Sequence, residues 1–157
     1  MIPKFINSQK KQLILFDMDG VLAEYVTGEE INVINEVPNV FYNKRPIKSV
    51  INVAKELSQM PNITVGILSS CDYPSQVIEK KQWLQKYLPM IKDDQIIIVV
   101  WSQEKYTMET RCYAKLEQIQ KIKGYEEIFL IEDTHANIFA TNQTIPNCAH
   151  HVSELLN

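Results

Sequence analysis

The chain has 157 residues, 45% of them hydrophobic and 22% charged, and carries a formal net charge of −3. That length suits one domain, 1–157, able to bury roughly 70% of the unfolded chain's surface, and the mild acidity speaks against a nucleic-acid backbone as the main partner. Three dispersed cysteines, no long apolar run and a polar N-terminus "MIPKFINSQKKQ" exclude a disulfide framework, a zinc cluster, a membrane span and a signal peptide, so a cytoplasmic protein with no membrane contact is expected.

Four short apolar runs recur along the chain: "QLILFD" (12–17), "ITVGILSS" (63–70), "QIIIVVW" (95–101) and "EIFLIED" (127–133). None alternates with polar residues, which suits strands buried on both faces of a parallel sheet. Helical stretches separate them. The first, 46–60, aligns Ile47, Val50, Ile51, Ala54 and Leu57 on one face, and the second, 74–88, does the same with Val77, Trp83, Leu84 and Leu88. A third is expected over 106–124, closed by Gly124. A short strand around 145–150 and a helical turn at the C-terminus complete the series. Strands alternating with helices predict right-handed crossovers and a doubly wound α/β fold.

Such sheets bind ligands beyond the carboxyl ends of their strands. The first strand exits into Asp17-Met18-Asp19-Gly20, the second into Ser69-Ser70, and the fourth into Glu132-Asp133. The third is followed by Ser102-Gln103-Glu104-Lys105, expected to open a helix. One edge thus gathers carboxylates that cannot all stay ionised without compensation. A hard dication such as Mg²⁺ resolves this, with Asp17 and Asp133 as ligands and the main-chain carbonyl of Asp19 as a third. Ser69, with Ser70 as competing candidate, and Lys105 suit the oxygens of a phosphoryl group beside that ion. Asp17 then reads as a nucleophile that becomes an aspartyl-phosphate, and Asp19 as the acid for the leaving alcohol and later the base for water. Glu132 is placed behind the metal ligands, and Asn137, one turn later, is expected to hydrogen-bond the site.

These four motifs, in this order, resemble those of the haloacid dehalogenase (HAD) superfamily of phosphohydrolases: Asp17-Met18-Asp19-Gly20-Val21, Ser69 closing "VGILSS", Lys105, and Glu132-Asp133 after "IFLI". The resemblance implies a Rossmann-like sheet with a cap inserted after the first strand, here reduced to about 24–45, and Mg²⁺-dependent hydrolysis of a small-molecule phosphate ester. Within the superfamily, "FYNKRPIKSVINVAKEL" (41–57) and "EKKQWLQKYLP" (79–89) resemble the 5′(3′)-deoxyribonucleotidase and pyrimidine 5′-nucleotidase branch, which implies a nucleoside monophosphate substrate. Tyr25, Phe41 and Tyr42 of the cap are then candidates to stack on a base.

Other readings compete. Asp17 and Asp19 also suit a turn, and a lone Asp-x-Asp-Gly also opens calcium loops, but the rest of that pattern fails after Tyr25. Lys80-Lys81, and Lys115 with its neighbours, read as solvated helix surface. Cys71 reads as a small buried residue, Trp83 and Tyr87 as core. Hydrolysis of another phosphate ester, a non-catalytic phosphate-binding module and a receiver-like phospho-acceptor domain are the alternative functions.

Overall fold

The structure, a computed structural model, describes residues 2–25 and 39–156. Five strands, β1 (Gln12–Phe16), β2 (Ile63–Cys71), β3 (Ile96–Val100), β4 (Glu127–Glu132) and β5 (Ala149–His151), form one sheet in the order β3-β2-β1-β4-β5. Every pairing is parallel. Among the described residues four helices connect them: α1 (Lys48–Ser58), α2 (Pro74–Tyr87), α3 (Ala114–Lys121) and α4 (His135–Thr144). This is the doubly wound, Rossmann-like α/β fold that the alternation of runs predicts. Residues 134–144, to which the sequence reading gives no element, hold α4.

Side-chain alternation along the central strand explains the two layers. In β1, Ile14 and Phe16 join the core under α1 and α2, with Val50, Ala54, Leu57, Val65, Ile67, Trp83 and Leu84. Leu13 and Leu15 point the other way, to a smaller core with Leu68, Ile119, Leu130, Cys148 and Ala149. A strand covered on both faces has no solvent side, so it needs no polar alternation. Phe16 pairs in register with Ile67 and Ile131, so β1, β2 and β4 deliver their exits side by side.

One expected boundary shifts. The third helix begins at Ala114, not at 106, after a 3₁₀ turn at Arg111–Tyr113. Thr107 and Thr110 bond each other's backbone and hydroxyls (Thr107 N to Thr110 Oγ1, 2.8 Å; Thr110 N to Thr107 O, 3.2 Å) and so close a turn where a helix would start. The expected cap, 24–45, falls largely outside the described residues. Among the described residues no helix is long and apolar enough to cross a membrane.

Gly66 sits mid-strand in β2, where a Cβ would lie 2.9 Å from the Gln95 carbonyl and 3.1 Å from Leu15 Cδ2. We expect Gly66→Val to overpack this contact and cost about 1–3 kcal/mol. Urea denaturation should show a lower midpoint at unchanged slope; an unaltered midpoint would show that the strands part there freely.

Candidate active site

β1 ends at Phe16, and the chain turns at once. Asp17 N donates to Ile131 O (3.0 Å), which carries the pairing with β4 one residue past the strand. Leu22 N and Ala23 N both donate to Met18 O at 2.9 Å and fold 18–23 into a compact loop. Gly20 has φ +78°, and a Cβ there would collide with the Asp133 carboxylate and the Tyr25 ring. Only glycine suits both the conformation and the space. The loop is thereby pressed against the exit of β4.

Asp17 is buried, and continues the side of the strand that carries Leu13 and Leu15. There it meets Lys115 of α3, whose Nζ is 2.9 Å from Asp17 Oδ2 and 2.6 Å from Glu132 Oε2. Glu132 is fully buried, and both its oxygens are engaged. Oε2 also accepts from Asn137 Nδ2 (3.0 Å), and Oε1 accepts from the backbone N–H groups of Asp133 (3.0 Å) and Thr134 (3.1 Å). Burial pushes the Asp17 carboxyl up to about 6, reinforced by Glu132 and Asp19 and opposed by Lys115. For Lys115, burial disfavours the ammonium, but Asp17 and Glu132 outweigh it and keep it charged.

Asp19 faces a different set of cations. Lys44 Nζ lies 2.7 Å from its Oδ1, and Lys80 Nζ 2.6 Å from its Oδ2. Lys80, of α2, also donates to Ser69 Oγ at 3.0 Å. Both ammonium groups rest over the Phe41 ring, 4.4 and 4.5 Å from its centroid. Trp83 Nε1 donates to Lys44 O (2.8 Å), fixing the segment that bears Lys44 onto α2. Burial raises the Asp19 carboxyl, but Lys80 and Lys44 together hold it below the usual carboxylate range.

Asp17, Glu132 and Asp133 present carboxylate oxygens all within 4.8 Å of one another. An all-oxygen donor set suits a hard cation. Among the described residues Lys115 is the ammonium bonded to this set, so three ionised carboxylates would leave two negative charges, the complement of a dication. Glu132 already accepts four hydrogen bonds, so Asp17 and Asp133 are the members with capacity for an ion. The Asp19 side chain lies outside this set, directed to its lysines.

Lys105 is not brought to the site. It is exposed, in the turn ahead of α3, and Lys115 holds the place beside Asp17 that the sequence reading gives to Lys105. The cause is the late start of the helix, which puts its first-turn lysine at 115. Ser69 is fully buried on the side of β2 that faces α2; Ser70, the next residue, is half-exposed and points to the opposite side. Lys44, Lys80 and Lys115 are the groups that sequence reasoning missed. Two of them carried a signal. Lys80 lies in helical register with Gln76, Trp83 and Leu84, and Lys115 with Ile119, all buried. A lysine on the apolar face, in the helical half nearest the site, differs from one on the outer face, such as Lys81 at 41% side-chain exposure.

Of the aromatic candidates, Phe41 is buried beneath the two lysines and is not open to stack on a base. Tyr42 lies against Lys86, 5.3 Å from its centroid. Tyr25 is 59% exposed, and burial of its hydroxyl together with the charge and hydrogen bond of Asp133 raises its pKa. Burial pushes the Cys71 thiol up to about 11, which leaves it protonated and unreactive near neutrality.

No protein-family model matches the sequence, and no curated protein matches it. Solved structures do share its fold. Two chains from the Pnkp1/Rnl/Hen1 RNA repair complex superpose with a TM-score of 0.65 at 17% and 16% identity, over 95% and 92% of this chain. This chain spans less than half of theirs, 44% and 47%. A haloacid dehalogenase-like hydrolase from Burkholderia xenovorans LB400 superposes with a TM-score of 0.58 at 10% identity, over 90% of this chain and 81% of the other. The parallel sheet, the order of its strands and these neighbours together give the chain the fold of the haloacid dehalogenase-like hydrolases.

Proposed function

We propose that the protein is a Mg²⁺-dependent phosphomonoesterase that works through an aspartyl-phosphate on Asp17. The observation that carries this reading is Asp17 itself: a buried carboxylate at the exit of the central strand, within reach of Glu132 and Asp133 and held by Lys115. Asp17 and Asp133 would hold the ion, with the main-chain carbonyl of Asp19 as a further ligand. When bound, Mg²⁺ supplies charge neutralisation to the phosphoryl oxygens.

The residues of the chain divide the remaining work. An Asp17 oxygen attacks phosphorus as the ester P–O bond breaks, forming the acyl phosphate. Lys115 keeps that carboxylate in place and offsets negative charge on the transferring group. Ser69 offers a hydroxyl to a phosphoryl oxygen. Lys44 and Lys80 favour the carboxylate form of Asp19, which is the base needed when water attacks the acyl phosphate. An incoming phosphate dianion pushes the other way, raising the Asp19 pKa toward the protonated form that serves the leaving alkoxide. For the substrate, the nucleoside monophosphate implied by 41–57 and 79–89 is our choice, with Tyr25 as the exposed ring beside the site. Another phosphate ester is the alternative.

Hydrolysis of an aryl phosphate tests the reaction. Activity should require Mg²⁺ and vanish on chelation. Asp17→Asn should lower kcat on the order of 10³-fold or more while the fold persists by circular dichroism. Near-wild-type turnover by that variant would remove Asp17 as nucleophile. The same assay separates the two lysines. Lys105→Ala should leave turnover and stability within about 0.5 kcal/mol of wild type. Lys115→Met should abolish turnover and lower stability by about 3–5 kcal/mol, because two buried carboxylates lose their common counter-charge. The reverse pattern would restore Lys105 to the site.

A further inference from the structure

We infer that Lys80 is a positioning residue that makes Ser69 an obligate hydrogen-bond donor to the phosphoryl group. The inference rests on the phosphatase reading and deepens it. Lys80 lies on α2, eleven residues beyond Ser69, and its side chain is wholly buried. An ammonium can only donate. The 3.0 Å contact with Ser69 Oγ therefore has one possible direction: Lys80 gives and the hydroxyl oxygen receives. The hydroxyl proton must then point elsewhere. Ser69 is fully buried at the site end of β2, on the side of the sheet shared by Lys80 and Asp19. A neutral hydroxyl left alone would rotate between donating and accepting; one that already accepts from a cation presents its proton to an anion.

The same ammonium is fixed from two further sides. Asp19 Oδ2 holds it at 2.6 Å, and the Phe41 ring lies 4.5 Å beneath it. Lys80 is thus the physical link between the hydroxyl at the end of β2 and the acid–base carboxylate of the β1 loop. Lys44 has a different place in the arrangement: it holds the other Asp19 oxygen and belongs to the chain ahead of α1. Its bond to Asp19 bears on turnover, but in phosphate binding Lys80 acts through Ser69, so there its loss should matter only as long as Ser69 has a hydroxyl to orient.

A double-mutant cycle on phosphate binding tests this directly. Inorganic phosphate would be titrated calorimetrically, with Mg²⁺ present, into the wild type, Lys80→Met, Ser69→Ala and the double variant, each checked for cooperative melting. A directed hydrogen bond to a charged group predicts roughly a ten- to hundredfold loss of affinity in either single variant. In the Ser69→Ala background, Lys80→Met should cost less than about threefold more. Additive losses would assign Lys80 a role independent of Ser69 and overturn the inference. So would wild-type affinity in Lys80→Met. If Lys80→Met does not fold, Lys80→Leu takes its place, because it likewise removes the donor to Ser69; unchanged affinity in Lys80→Leu would equally overturn the inference. If the wild type itself binds no phosphate, the phosphatase reading falls and takes this one with it. Phosphate binding by the wild type with additive variants sinks the role of Lys80 alone.

Discussion

The structure turns on one buried ammonium placed between two carboxylates. Asp17 and Glu132 leave adjacent parallel strands one residue beyond the paired Phe16 and Ile131, so the sheet itself forces them together. Both are buried, and Glu132 raises the cost of ionising Asp17. Desolvated like charges of this kind are unfavourable by several kcal/mol per ion unless compensated. Lys115 supplies that compensation at 2.9 and 2.6 Å, and the backbone of 133–134 with Asn137 satisfies what remains of Glu132. The position of α3 against the sheet is therefore set electrostatically as well as by the packing of Leu116 and Ile119.

A second cluster answers the first from the other layer. Asp17 is served from the α3 side of the sheet, Asp19 from the α2 side, and the two carboxylates are only two residues apart. That division follows from the topology. β1 is central, α1 and α2 cover one face, α3 and α4 the other, and the exit of β1 lies where both layers meet. The 18–23 loop must then turn sharply enough to offer one aspartate to each layer, and Gly20 with its positive φ lets it do so while lying against Asp133. A slip of either helix by one turn, about 5.4 Å, would withdraw its lysine from its carboxylate.

The strands, their parallel direction and the acids at the exits of β1 and β4 were legible in the sequence, because uninterrupted Ile, Val and Leu runs have few other uses in a chain of this size. Lysines were not. Reading charge as surface is sound on average, and it gave Lys81 correctly and Lys80 wrongly, although the two are neighbours. What separates them is the angular position on α2: Lys80 shares the face of Trp83 and Leu84. Lys105 failed for a different reason. Its assignment assumed a helix starting at 106, and the Thr107–Thr110 turn uses the local hydroxyls and amides that such a start would need. The partner of Asp19 in the 39–44 segment was illegible on any local pattern, since Lys44 is buried through its contacts with Phe41 and, by its carbonyl, Trp83. The cap, 24–45, was implied by the family resemblance and sized from the spacing of the first two motifs, and most of it lies outside the described residues.

The charge balance of the two clusters differs, and this gives the site its direction. Around Asp17, three carboxylates gather with the Lys115 ammonium at hydrogen-bond distance from two of them, which among the described residues leaves the β4 side short of positive charge. Around Asp19, one carboxylate is shared by two ammonium groups held over an aromatic face. A phosphate ester with its metal ion is itself a dipole of that kind, positive at the ion and negative at the oxygens. On the phosphatase reading, an acid-rich side at β4 and lysines toward α2 would favour that dipole in one orientation. In that orientation the ion would lie against Asp17 and Asp133 and the oxygens toward Ser69. Polarity of this sort is built before any ligand arrives, because each charged side chain is fixed by a partner already in the fold. The site thus depends less on the acids, which any turn could offer, than on which helix face carries each lysine.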